Sequence, residues 1–195
     1  EFFSNHFLPY VKLENIMATK EWIPEENKLI YDEKIFNKSN NKWVRNKPTL
    51  QRAFKRYKST ISISENKRTS FITISVQHKS PIIAKEWLDI IIYQINESMR
   101  KIDAETAENS IAYLNRTTQS TNVQSIKEAI SKLLENQMQV LMLTASSEYY
   151  VLKIIDSPIV PEEKISPSRA LICIVGTISK IFYSNILIYF TIYNN

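Results

Sequence analysis

The sequence predicts an α+β fold with four parts: a small antiparallel or mixed sheet at a membrane-proximal base, a long protruding helical hairpin, a proline-rich spacer, and a C-terminal transmembrane helix with an altered end. Three observations predict it. Residues 60–64 and 70–77 alternate apolar with hydroxyl side chains at period two. After Pro81 no proline or glycine recurs until Pro158, and apolar residues return every three or four positions. Pro158, Pro161 and Pro167 then lead into an apolar run that opens at Ala170. The chain accordingly divides into residues 1–157, a proline-rich motif at 158–169 and an apolar segment at 170–193.

Taken in order, residues 1–28 carry Phe2, Phe3, Phe7, Leu8, Tyr10, Ile16 and Met17 in a pattern of moderate helical character, broken at Pro9 and Pro24. Residues 29–45 are rich in Asn and Lys and read as an irregular surface connection. Pro48 fits the first turn of a short helix over 48–58, with Leu50, Phe54 and Tyr57 facing inward and Arg52, Lys55, Arg56 and Lys58 outward. That basic face is either simply solvated or a contact for an anionic glycan or lipid head group. The two alternating stretches, joined by residues 65–69, form an antiparallel hairpin half-buried on one side. A third strand over 149–155 is expected to return to the same sheet.

Ser80-Pro81 starts the long helix, an N-cap followed by proline at the first helical position. Ala84, Leu88, Ile91, Ile95, Met99 and Ile102 follow at three and four, and after a slip Ala107, Ile111 and Leu114 resume. A helix reaching Gln119 would extend about 58 Å, too long to be enclosed by a domain of this size, so it must protrude. Thr121 with Gln124 reads as a capping box for a second helix over 123–145, apolar at Ile126, Ile130, Leu133, Leu134, Met138 and Leu141. The two helices form an antiparallel hairpin over about 81–145. Residues 88–95 are core. Beyond them the apolar stripe thins, and Met99, Ile102, Ile111 and Leu114 are read as a self-association surface in the manner of a helical bundle, with intramolecular packing as the alternative.

The prolines at 158–169 remove backbone donors and fix φ near about −65°, making this piece an extended, stiff spacer. The segment 170–193 carries one charge, Lys180. As a helix it would reach about 36 Å, enough for a bilayer core of roughly 30 Å. Lys180 favours the alternative, a buried core helix, because a mid-bilayer lysine costs about 2.5–3.5 kcal/mol. Arg169 at the junction can hold phosphate head groups while its stem lies on apolar surface.

Composition excludes several function classes. All but one of the 25 Lys and Arg precede Ala170, against 20 Asp and Glu, so the surface is mixed in sign and not a nucleic-acid groove. Gly176 is the single glycine, whereas a Walker loop, a dinucleotide fingerprint and a nucleophile elbow each need at least two. Cys173 is also alone, leaving no disulfide framework and no thiolate metal site. His6 and His78 have no ligand partner at local spacing and read as structural. The carboxylates Asp89, Glu97, Asp103, Glu105 and Glu108 fall on an exposed helix face, with Glu97 and Lys101 an i,i+4 pair. No catalytic, cofactor or metal residue is assigned. Glu1 is not an initiator and opens no signal peptide, as expected of an internal piece of a longer protein.

The order hairpin, Ser80-Pro81-Ile-Ile-Ala84-Lys-Glu-Trp87, Ile111-Ala-Tyr-Leu114, Glu135-Asn-Gln137, Tyr150-Val-Leu-Lys-Ile-Ile-Asp156, Pro158, Pro161, Ser166-Pro167, Arg169 and Gly176 resembles the chain-length determinant proteins, the Wzz-type polysaccharide co-polymerases of Gram-negative bacteria. The resemblance covers roughly residues 29–176. It implies an α/β domain in the periplasm between two inner-membrane helices, a ring-shaped homo-oligomer and no catalysis. It also implies control of O-antigen length together with a separate polymerase and its lipid-linked glycan. At residue level it implies only a membrane-proximal motif, Pro158, Pro161, Pro167 and Arg169, and Gly176 as a helix-packing position. The chain departs from the pattern before Glu1, where the first membrane helix would lie, and after Thr177, where small residues and a basic end are missing. Two other classes stay in view: an adaptor of an envelope polysaccharide export system, which also uses helical hairpins, and an enzyme, which would need convergent polar groups.

Overall fold

The structure, a computed structural model, describes residues 1–147, 149–160, 173–180 and 182–183. The chain divides into two units, residues 1–160 and 161–195.

The first unit is built on its longest element, α3 (Pro81–Ser120). Ser80 caps its start, its Oγ accepting the Ile83 N–H at 3.4 Å, and Pro81 occupies the first turn. Upstream lie a π-helical turn (Phe3–Phe7), a 3-10 turn (Leu8–Tyr10) and α1 (Leu13–Met17). Two short hairpins follow: β1 (Thr19–Ile23) with β2 (Lys28–Tyr31), and β3 (Phe36–Asn37) with β4 (Lys42–Trp43). Then come α2 (Leu50–Thr60) and the ribbon of β5 (Ile61–Asn66) and β6 (Phe71–Val76). After α3, α4 (Gln124–Ser146) runs back along it.

The core gathers Phe3, Phe7, Ile16, Ala53, Tyr57, Trp87 and Ile91, so the N-terminal turns, α1 and α2 all close on the proximal half of α3. Phe7 sits 4.5 Å from Tyr57 and meets Trp87 edge-on at 5.6 Å, separations at which aromatic pairs attract. Burial pushes the Tyr57 hydroxyl up to about 12. His78 links three elements to this core. Its ring lies 4.8 Å from Trp87, Nε2 is 3.1 Å from the Asn15 carbonyl, and Nδ1 is 3.1 Å from the Ser80 nitrogen and 3.3 Å from the Ser80 carbonyl.

Several expectations are corrected here. Residues 29–45 are not irregular: they contribute β2, β3 and β4, and Phe36 is buried between Tyr31 and Trp43. Asn27 and Asn41, at φ 45° and 53°, supply the left-handed turn residues that a chain this poor in glycine takes from asparagine. The ribbon has the expected register, Ile63 opposite Ile74 and Ser64 opposite Thr73. Its apolar face is half-buried only near the base, where Ile61 and Val76 pack against the core, while Ile63 (65% exposed) and Ile72 (53%) further out are exposed. In α2 the inward positions are Ala53 and Tyr57, while Leu50 and Phe54 are exposed. Thr121 and Gln124 make no capping box: Val123 takes the N-cap position without a side-chain bond, and Gln124 bonds Glu128 instead. Residues 149–155 form no strand and do not join the ribbon, for a reason that lies on α3.

In the second unit, residues 173–180 are helical, with Thr177 Oγ1 3.0 Å from the Cys173 carbonyl and 2.8 Å from that of Ile174. Among the described residues no helix is long and apolar enough to cross a membrane. Most of the expected transmembrane segment, 170–193, lies outside the described residues.

Candidate functional site: the helical hairpin and its clasp

Among the described residues the hairpin α3–α4 is the one extended feature. The 40 residues of α3 rise about 60 Å, and the 23 of α4 return about 35 Å of that. The four residues expected to self-associate separate onto two faces of α3. Ile111 and Leu114 are half-buried on the side of Ala107, which is fully covered. Met99 and Ile102 (55% exposed) face solvent. Those two are three residues apart, a spacing found between neighbouring apolar positions of a coiled-coil seam. On α4, Leu133, Met138 and Met142 are also exposed, flanking the buried Ile130.

Where α4 ends, three side chains of α3, Asn96, Arg100 and Asp103, hold the departing chain. Asn96, only 5% exposed, donates from Nδ2 to the Leu152 carbonyl at 3.0 Å. Its Oδ1 accepts the N–H groups of Val151 and Leu152, both at 2.8 Å. The side-chain amide thus gathers the N–H groups of two consecutive residues where the chain bends, which is why 149–155 belongs to no sheet. Arg100 donates to the Ser147 carbonyl at 2.7 Å and pairs with Glu97 at 3.4 Å, so Glu97 partners Arg100 and not the expected Lys101. Tyr150 donates its hydroxyl to Asp103 at 2.8 Å, and that bond holds the phenol above its usual range. One turn away, Ser98 donates to the Gln94 carbonyl and His6 Nδ1 reaches its oxygen at 3.0 Å, joining the N-terminal turn to the same stretch of α3.

This clasp escaped the reading of the sequence, although a signal was there. Asn96, Arg100 and Asp103 repeat at four and three, so a polar row occupies the side of α3 that carries Ala107 further out. Such a row on a covered helix face asks for polar partners, and the only residues left to supply them follow α4.

Pro158 is half-buried near the end of the first unit. Pro161, Pro167 and Arg169 lie outside the described residues. At Gly176 an added Cβ would meet no described atom within 4 Å. Among the described residues no group of three or more His, Cys, Asp or Glu is gathered in metal-binding geometry. No family model and no curated protein matches this chain.

Proposed function

We propose that the chain is a non-enzymatic polysaccharide co-polymerase of the chain-length determinant type. In this reading it is anchored in the inner membrane with residues 1–157 in the periplasm, and it regulates O-antigen length as a homo-oligomeric scaffold beside a separate polymerase and its lipid-linked glycan. The observation that carries the reading is α3, a helix of about 60 Å whose proximal half is locked into the core while its distal half stands out with α4. Length control without bond-making chemistry needs a rigid element of fixed reach, repeated around an assembly. The exposed pair at Met99 and Ile102 supports assembly, because apolar positions left in water at coiled-coil spacing gain by meeting a neighbouring copy.

The test is expression of the chain in a Gram-negative host that lacks its own length regulator, read by the electrophoretic ladder of its lipopolysaccharide. A cluster of bands around one preferred length is expected. A ladder that keeps the random distribution of the deficient host, with the chain present in the membrane fraction, refutes the proposal.

A further inference from the structure

On the distal hairpin, between α3 and α4, lies an open groove of about 540 Å³, within the ~300–1,000 Å³ of small-ligand sites. Its lining is wholly uncharged. Tyr113, 65% exposed, lines it, and Leu114 and Leu133 supply apolar surface. The amides of Asn109 and Gln137, one from each helix, have no hydrogen-bond partner among the described residues. Thr106 and Ser110 donate their protons to carbonyls of their own helix, at 2.7 Å (Ile102) and 2.8 Å (Thr106), which fixes both hydroxyl oxygens as acceptors toward the groove.

We infer that this groove binds an uncharged sugar segment of a polysaccharide. A pyranose has an apolar face of C–H groups that covers an aromatic ring, and a rim of hydroxyls that each need a donor and an acceptor. Tyr113 supplies the ring, and the two amides, one from each helix, supply donor and acceptor together. An anionic ligand would find no counter-charge in this lining, and a purely apolar helix would strand both amides without partners. The inference rests on the proposed function and adds to it the class of ligand and the place of contact.

The experiment is saturation-transfer NMR on the full chain, with maltoheptaose and an N-acetylglucosamine oligomer as neutral probes and a hyaluronan oligosaccharide as the charged one. Transfer from the protein to the C–H protons of at least one neutral probe is expected, with none to hyaluronan. Tyr113→Ala should weaken it about tenfold or more, the loss of one aromatic contact of about 1.4 kcal/mol, and Asn109→Ala with Gln137→Ala should abolish it. Tyr113→Phe should retain it. Because these positions line an open groove, helical circular dichroism should be unchanged in all variants. No transfer to either neutral probe, or equal transfer in Tyr113→Ala, overturns the inference. So does a fall in subunit number on Tyr113→Ala, which would assign the groove to a second copy of the chain. The glycan ladder separates the two proposals: a preferred length that persists in the groove variants sinks the groove alone. Absence of a preferred length in the unaltered chain sinks the function while leaving the binding result standing.

Discussion

Replacing Asn96 with Ala should release the clasp and nothing else. The side chain makes three hydrogen bonds to the backbone of Val151 and Leu152, at 2.8, 2.8 and 3.0 Å. Each bond of this kind is worth about 0.5–1.5 kcal/mol net, and water can rehydrate part of the half-exposed Val151, so the expected loss is about 2–3 kcal/mol. Asn96→Asp keeps the acceptor for both N–H groups and loses only the donor to the Leu152 carbonyl, so it should fall between Ala and the unaltered chain. The assay is amide hydrogen exchange on the full chain, read beside the denaturant midpoint. In Asn96→Ala, Val151 and Leu152 should exchange as open chain while amides of the distal hairpin keep their protection. If both amides stay protected and stability shifts by less than about 0.5 kcal/mol, the range of ordinary surface changes, the clasp does not hold this segment and the account of why it joins no sheet fails.

Four other outcomes are expected. Burial lowers the pKa of His78, and the Arg56 and Lys79 charges add to this against the opposing backbone bonds from Asn15 and Ser80. The folded state therefore holds the ring neutral while the unfolded chain takes the proton more readily. Stability is fully present above pH about 6.5 and should decline as pH falls below it, and denaturant midpoints should lose that slope in His78→Gln. Trp87→Ala, at a site 1% exposed, should cost about 3–5 kcal/mol, whereas Tyr93→Ala on the open face of α3 should stay within about 0.5 kcal/mol in the same measurement. Ile111→Ser with Leu114→Ser should lower the thermal midpoint by loosening the hairpin, while Met99→Ser with Ile102→Ser should leave that midpoint and reduce the subunit number found by mass in lipid nanodiscs. Pro158→Ala with Pro161→Ala frees the backbone of the spacer, so the glycan ladder should broaden with total synthesis maintained; arrest of synthesis would contradict a purely positional role.

What could be read from the residues alone depended on how local the determining physics was. The start of α3 was legible because Ser80 and Pro81 act on the first turn by themselves, and its length followed from a run with no breaker. The pairing of β5 with β6 was legible from alternation, yet alternation states only which side chains share a face. Whether another layer covers that face is a tertiary fact, and at Ile63 and Ile72 none does among the described residues. The hairpins β1–β2 and β3–β4 were missed because their turns place asparagine at positive φ where glycine is the usual marker. Residues 149–155 have the β-branched and aromatic composition of a strand but bend at 149–151 and 155 and join no sheet. Their partner is one side chain on α3, which no pattern within the segment encodes. Of the groove, Tyr113 and Gln137 stood within the stretches that carry the family resemblance, but only the packing of α3 against α4 brings them together.

The clasp also explains how a short returning helix can serve a long outgoing one. α4 retraces about 35 Å of the 60 Å of α3, and Ser147 is met by Arg100, in the middle of α3. From there the chain steps one turn toward the core, to Asn96, where Leu152 is bound on both its N–H and its carbonyl. The 15 residues of α3 between Pro81 and Asn96 leave about 22 Å to the start of the helix. Residues 153–160, if extended, can span at most about 26–29 Å. That reach is enough to cover the distance from Asn96 to the start of α3. Were the chain released there, the whole length from the end of α4 to Val160 would be slack. A polar residue buried in the middle of a helix costs stability unless its bonds are met. Here meeting them fixes the level at which the chain leaves the hairpin.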